Sequence, residues 1–316
     1  MPDPTQNTAT APGDTLTFAH VTDPHLTSPD HPSLRSLLNK RILSYLSWRR
    51  HRRQIHDRGV LDMLVEDLRA SKAQHLAITG DLTQLGLDSE FQDAQKWLRE
   101  LSTPSRVSLI PGNHDCLVAD DWQRTLHRWH EFMASDDTSL NHPGDFPTSR
   151  IRGPVMFIGL SSAVPTAPFL ATGSLGRQQR QRLREMLESA RERSLFRVVL
   201  IHHPPLPGGY KWRKRLVDSR ATSEVLRQSG AELVLHGHTH RLTGMSLEGP
   251  GGKRIPVVGL SSASAGEVSP ERAARYSLWT VTRNGGSFRL QHRSRVYDAP
   301  SHRIREGHDW NPLQDQ

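Results

Sequence analysis

The chain has 316 residues, one cysteine and a formal net charge of +8, with 35% hydrophobic and 23% charged residues. That length suits one large globular unit or two small ones, and a single cysteine excludes an intramolecular disulfide framework. No run of about 18 apolar residues occurs, which excludes a membrane-spanning helix, and the positive balance favours anionic partners.

Residues 1–14 are rich in Pro, Thr and Asp, without a basic start or an apolar centre. They read as a disordered tail and not as a secretion signal. Leu16 to Val21 reads as a buried strand that runs into Asp23-Pro24-His25. Pro24 is expected to hold Asp23 extended, so that the strand continues up to the carboxylate. Helices are predicted from Ser33 to Ser71. Residues 33–58 read as a basic amphipathic insertion. Leu34, Leu37, Leu38, Ile42, Tyr45, Leu46 and, less regularly, Trp48 share one helical face. Lys40, Arg41, Arg49, Arg50, Arg52 and Arg53 supply a dense positive cluster.

A strand from His75 to Thr79 ends at Gly80-Asp81. A helix is predicted over Leu87 to Leu101, and a strand from Arg106 to Ile110 runs into Gly112-Asn113-His114-Asp115. Next come a helix near Asp121 to Ala134, a variable stretch from Ser135 to Ser149, and a strand from Pro154 to Leu160. A charged helix over Arg177 to Arg193 leads into the strand Arg197 to Ile201, which ends at His202-His203-Pro204-Pro205. A second basic cluster, Lys211 to Arg215 with Trp212, follows. The helix Thr222 to Gln228 and the strand Glu232 to Leu235 lead to Gly237-His238-Thr239-His240. Strands over Arg254 to Leu260, Tyr276 to Thr282 and Ser287 to His292 are expected to finish a second sheet, with 296–316 a tail. Residues 15–295 then form the folded domain. The pentapeptide Gly159-Leu160-Ser161-Ser162-Ala163 recurs as Gly259-Leu260-Ser261-Ser262-Ala263, and both copies end a strand. This repeat suits a pseudo-symmetric pair of sheets.

Five short motifs therefore lie at strand ends, where loops of α/β sheets line a common crevice. They offer carboxylates, imidazoles and one amide oxygen. That donor set suits Mn, Fe, Zn or Co in mixed nitrogen and oxygen coordination. Gly80, Gly112 and Gly237 let the backbone turn beside such ions. Each motif alone has an ordinary explanation. Alternating His238 and His240 fit a solvent-facing strand, Asp23 and His25 fit a turn, and Asn113 and Asp115 fit a helix cap. All five in this order do not. Two ions about 3.5–4 Å apart share a hydroxide nucleophile and clamp attacking and leaving oxygens, as in phosphodiester hydrolysis. His203 fits either a substrate contact or packing. His20, His75 and His236 read as structural, and Cys116 as packing.

The ordered set D-x-H, G-D, G-N-H-[D/E], a lone His after a strand, and G-H-x-H resembles the calcineurin-like metallophosphoesterase family. The resemblance implies an αββα two-sheet sandwich with two divalent metal ions. It implies that Asp23, His25, Asp81 and His240 hold one ion. Asp81, Asn113, His202 and His238 hold the other, Asp81 bridges, and His114 assists the leaving oxygen. Pro24 stands where an aliphatic residue is common and changes no ligand. The main expectation is a phosphohydrolase of a phosphodiester or pyrophosphate. The basic insertion suggests a lipid-linked substrate such as UDP-diacylglucosamine and an anionic membrane surface as partner. The alternative is a soluble cyclic-nucleotide or glycerophosphodiester phosphodiesterase, which the His-His-Pro-Pro motif resembles. A non-catalytic scaffold on the same fold is the alternative from another class, and the intact ligand set argues against it. No nucleic-acid-binding motif is visible. The expected location is the cytoplasm, with peripheral contact at the inner membrane face.

Overall fold

The computed structural model describes residues 14–307 apart from 27, 30, 31, 209, 267 and 268. The N-terminal tail, apart from Asp14, and residues 308–316 lie outside the described residues. Strand β1 (Thr15–Val21) opens the chain. The insertion follows as a 3-10 turn (Leu34–Leu37), helix α1 (Arg41–Arg50) and a second 3-10 turn (Arg52–Gln54). Helix α2 (Arg58–Ala70) starts at Asp57, whose carboxylate accepts from Gly59 N and Val60 N. Its buried face is Val60, Leu61, Leu64, Val65 and Leu68, at helical spacing. Then come β2 (His75–Ile78), α3 (Asp88–Leu101) and β3 (Val107–Leu109).

The helix predicted near Asp121 is instead two 3-10 turns, Trp122–Arg124 and Leu126–Trp129, and the one-turn helix α4 (His130–Met133). Thr125 breaks the run (φ −115°, ψ −106°), and the irregular path seats Leu126, Trp129, Phe132 and Met133 in the core. The second half continues with β4 (Thr148–Arg152), β5 (Val155–Gly159), α5 (Gly176–Glu192), β6 (Phe196–Leu200), α6 (Ser219–Ser229) and β7 (Leu233–His236). It ends with β8 (Thr243–Glu248), β9 (Arg254–Gly259), β10 (Arg275–Asn284), β11 (Ser287–Asp298) and β12 (Arg303–Gly307).

Two six-stranded sheets result, ordered β12-β11-β10-β1-β2-β3 and β4-β5-β6-β7-β9-β8. They pack face to face, with Phe18 of β1 edge-on to Phe157 of β5 at 4.9 Å. The apolar faces of α2 and α3 join the core between and behind the sheets, whereas Leu183 and Leu187 of α5 pack outside the second sheet. The αββα sandwich is thus the architecture of the chain.

Three expectations are corrected. Of the last predicted strands, β9 alone joins the second sheet. β10 runs antiparallel beside β1, with Phe18 opposite Trp279, and β11 runs antiparallel beside β10. Residues 296–307 are not a tail. β11 reaches Asp298, and β12 pairs with it, Val296 opposite Arg305. Arg295 and Tyr276 both bond Asp67 of α2, which pins this edge to the body. Finally, both copies of the repeated pentapeptide follow strands of one sheet, β5 and β9, so the repeat does not relate the two sheets. Within that sheet, β5 and β9 flank the central pair β6 and β7 and each pairs antiparallel with an edge strand.

Candidate metal centre

The loops after β1, β2, β3, β6 and β7 meet at one end of the sandwich. The first two zip together beyond their strands: Asp23 N donates to Gly80 O (3.0 Å), His25 N to Asp81 O (3.1 Å) and Leu26 N to Leu82 O (2.9 Å). This brings Asp23, His25 and Asp81 to His240, with one ligand atom from each within 4.8 Å of the others. Asp23 is not extended. Its φ is +49°, and His25, Asp81, His238 and His240 are also left-handed (φ 42–68°). The strand ends at Val21, and the turn aims the carboxylate inward. Close backbone approach requires Gly237, where an added Cβ would lie 2.0 Å from Thr22 Oγ1 and 2.5 Å from Asp23 Oδ2. At Gly112 it would lie 2.2 Å from Asp81 Oδ1.

The hydrogen bonds fix which imidazole nitrogens face inward. A carbonyl only accepts, so the nitrogen opposite it carries the proton. His202 Nδ1 donates to Thr79 O (2.7 Å), His238 Nε2 to Lys214 O (2.9 Å) and His25 Nδ1 to Thr83 O (2.9 Å). The neutral imidazoles then aim bare nitrogens into the site. His202 Nε2 and His238 Nδ1 both face Asn113 Oδ1, at 3.1 and 2.7 Å. His25 Nε2 faces His240 Nε2 at 3.3 Å. Asp23 Oδ1 is buried without a hydrogen-bond donor, 3.2 Å from His240 Nε2. Asp81 Oδ2 lies 3.4 Å from His202 Nε2 and 4.0 Å from His25 Nε2, between the two groups. Acceptors facing acceptors repel unless a proton or a cation lies between them. These donors fit two divalent ions.

The same convergence shifts the titrations. Burial opposes ionisation of Asp81, but His202, His114 and His25 outweigh it and hold its carboxyl well below the usual range. Burial disfavours charged His202, yet Asp81 and Asp23 push it up to about 9, so a proton sits on its Nε2 wherever a cation does not. Burial, then neighbouring imidazoles, hold His25 and His238 well below the ordinary histidine value.

Other residues carry the frame. Asp115 accepts from the backbone N–H of Asp81, Gly112 and Thr83 at 2.9–3.0 Å and from Thr83 Oγ1. Glu90 accepts from Gln84 N, Leu85 N and Leu87 N. That shapes the loop whose Gln84 O takes His114 Nδ1 at 2.6 Å. His114 N in turn donates to Asp81 Oδ1 (2.7 Å).

His203 is fully buried between Ser162 Oγ and Ala171 O, so its role is packing. His20, His75 and His236 are buried and structural, bonding Thr79 Oγ1, Ser108 Oγ and Gly237 O respectively. Burial pushes the Cys116 thiol far up, and the residue packs on the core.

The basic side chains of the insertion take separate directions. Arg41 is buried and bonds Leu85 O, Gly86 O and Asp120. Lys40 Nζ reaches Leu170 O (2.7 Å). Arg52 turns inward, with Nη1 3.0 Å from His114 Nε2 and Nη2 on Ser44 O. The expected apolar face also splits. Leu37 and Trp48 are buried, while Leu38 is 82% exposed and Ile42 and Leu46 are exposed too; the Leu34 side chain lies outside the described residues. These elements form one wall of a cleft of about 660 Å³. Arg52, Lys214, Asp81, Asn113, His114, His238 and His240 line it. A larger depression of about 1010 Å³ near Arg197 and Phe288 holds no motif residue. Sequence reasoning missed the inward aim of Arg52 and the nearness of His56, whose ring is 4.4 Å from that of His25. No motif spacing marked either residue.

Residues 16–242 match the family described as calcineurin-like phosphoesterase. A 3',5'-cyclic-nucleotide phosphodiesterase of Nostoc sp. is 26% identical over 229 residues, 72% of each chain. A dimetal phosphatase from Danio rerio superposes with a TM-score of 0.58 at 16% identity, covering 88% of this chain and 98% of that one. A purple acid phosphatase from yellow lupin gives 0.54 at 10% identity, covering 93% of this chain and 54% of that one. With its sandwich fold, its converging His and Asp side chains and a match across most of its length, the chain belongs to the calcineurin-like phosphoesterase family of metal-dependent hydrolases.

Proposed function

We propose that the chain is a phosphodiesterase acting on a small diester of the cyclic-nucleotide or glycerophosphodiester kind. One observation carries the reading: inward-facing acceptors from five strand-end loops meet on the floor of a cleft whose walls are basic. The 26%-identical Nostoc phosphodiesterase supports the substrate class. In this reading Asp23, His25, Asp81 and His240 hold one ion, and Asp81, Asn113, His202 and His238 the other. The ions are Mn, Fe, Zn or Co by donor type. When bound, such a pair supplies Lewis acidity and a nucleophile at neutral pH.

The chain's own residues do the rest. Arg52 and Lys214 receive the phosphate oxygens, where a desolvated guanidinium or ammonium stabilises developing charge. At rest His114 Nε2 accepts from Arg52. A phosphate oxygen competes for that guanidinium and frees Nε2, which takes up a proton from solvent and passes it to the leaving oxygen, while Nδ1–H stays on Gln84 O. The Thr79, Thr83 and Lys214 carbonyls hold the imidazole tautomers throughout. The test is a panel of cyclic nucleotides, glycerophosphodiesters, phosphomonoesters, nucleotide sugars and their acylated forms, with protein reconstituted in each metal. Turnover of diesters above monoesters is the expected result. Turnover of monoesters alone would replace the reading with a phosphatase.

A second reading rests on the rim of the cleft. Phe169 and Leu46, 72% and 41% exposed, line the cleft together with basic Lys40 and Arg50. An apolar and basic rim favours a lipid-linked substrate at an anionic surface. Among the described residues no helix is long and apolar enough to cross a membrane. Sedimentation with anionic and neutral vesicles tests this reading, and equal binding to both rejects it.

A further inference from the structure

His56 belongs to none of the five motifs. It lies at the end of the insertion, just before α2. Yet one ligand atom of His56 lies within 4.8 Å of one on His25 and one on His240. Its ring centroid is 4.4 Å from that of His25 and 5.6 Å from that of His240. Nδ1 is taken by Ser264 Oγ at 2.8 Å. Nε2 is sealed from solvent and has no hydrogen-bond partner. An unpaired buried imidazole nitrogen is costly unless something binds it.

The ring is also held in place. His56 forms a backbone bridge with Ala265, Asp57 N donates to Ser264 O at 2.7 Å, and Gly266 N donates to Ile55 O at 2.8 Å. Ser262, beside Ser264, donates to Asp23 O at 2.6 Å. One serine turn therefore fixes both His56 and the backbone of Asp23. A metal-binding histidine characteristically has its second nitrogen hydrogen-bonded in this way.

We propose that His56 Nε2 is an additional donor to the ion position formed by Asp23, His25, Asp81 and His240, an assignment that rests on the dinuclear reading. Donors around one tetrahedral ion at about 2.0–2.1 Å are about 3.4 Å apart. His25 Nε2 and His240 Nε2 already stand at 3.3 Å, and His56, within 4.8 Å of both, need close by about 1.4 Å at most. A third imidazole makes this position richer in nitrogen, which favours Zn, Fe or Co over Mn. It also ties the insertion to the metal, so the wall that carries Arg52 is anchored at the ion it faces.

The test is titration of chelator-stripped wild type, His56→Ala and Ser264→Ala with Co(II), followed by calorimetry and visible absorption, with metal content measured by mass spectrometry. Wild type should take up two ions. His56→Ala should weaken one of the two sites at least tenfold, alter the Co(II) band of that site and raise its relative preference for Mn. Ser264→Ala keeps the imidazole and removes its anchor, so it should move the same site in the same direction by a smaller factor. Affinities and bands of His56→Ala within twofold of wild type overturn the assignment. If His56→Ala does not fold by circular dichroism, unchanged titration of Ser264→Ala overturns it. A wild type that takes up no second ion sinks the dinuclear reading and this assignment with it; two ions in wild type with unchanged variants sink this assignment alone.

Discussion

Asp23, His25, Asp81, His238 and His240 all hold a left-handed backbone, which costs non-glycine residues of order 1–3 kcal/mol each. Such strain persists where the site over-determines it, and here all five side chains point into the same site. Asp81 is the most loaded of them, since its carboxylate faces His25, His202 and the His114 amide at once. Asp81→Asn keeps the volume and removes the charge. It should lose bound metal and activity while the far-ultraviolet spectrum stays that of the wild type; two bound ions with normal turnover would show that Asp81 does not bridge. His114 makes no such inward-facing set and instead sits against Arg52 and Gln84 O. His114→Ala should therefore keep both ions and lower turnover by about 10²–10⁴, as loss of a general acid does. The deficit should shrink for esters with good leaving groups, and an equal deficit for good and poor ones would assign His114 to positioning.

At the scale of elements, the ion triad between α2 and the last strands decides how well the first sheet is closed. Asp67 accepts from Tyr276 Oη at 2.7 Å and from Arg295 Nε at 2.9 Å. Burial raises its carboxyl pKa, but the Arg295 and Tyr276 hydrogen bonds outweigh burial and leave it below the ordinary value. The folded value thus lies below the unfolded one. The stabilisation is complete above the usual carboxylate value of 3.8 and is lost as pH falls through the lower folded value. Asp67→Asn should cost about 1.5–3 kcal/mol at pH 7, the range for hydrogen bonds to charged groups. Urea midpoints should show the gap to wild type narrowing below about pH 4; a gap independent of pH would mean that shape and not charge joins α2 to β11.

For the whole molecule, the metal centre is where both sheets meet, because Asp23, Asp81 and Asn113 follow strands of one and His202 and His238 follow strands of the other. Ions that bind the folded state alone stabilise it by about 2.7 kcal/mol at a hundredfold excess over Kd. Chelation should lower the calorimetric melting temperature by several degrees, and returning metal should restore it in proportion to the logarithm of its concentration. A melting temperature indifferent to metal would mean that the sandwich, and not the ions, holds the five loops together.

The sequence by itself determined the strands that carry chemistry and the residues at their ends. β1, β2, β3, β6 and β7 are short buried apolar runs closed by Gly, Pro or His, and such runs are legible without neighbours. The ligand types followed, because a carboxylate or imidazole at a strand end keeps its chemistry whatever packs around it. Tertiary structure decided what depends on distant partners. Edge strands β4, β8 and β12 are polar and pair on one side, so their strand character comes from the neighbour and not from their own pattern. β10 joined the first sheet, and carried β11 with it, through pairing with β1 some 260 residues away, which is invisible to local periodicity. Asp23 turned left-handed before Pro24 because His238 N and Thr22 Oγ1 claim its Oδ2, contacts that no dipeptide preference records. Arg52 belongs by charge to the basic insertion, and His56 belongs to no motif. Only the closure of the insertion over the loops, through Arg41 on Leu85 O and His56 on Ser264, brought one to His114 and the other to His25. Charge and periodicity are local properties; which face a side chain turns to the metals is settled by long-range packing.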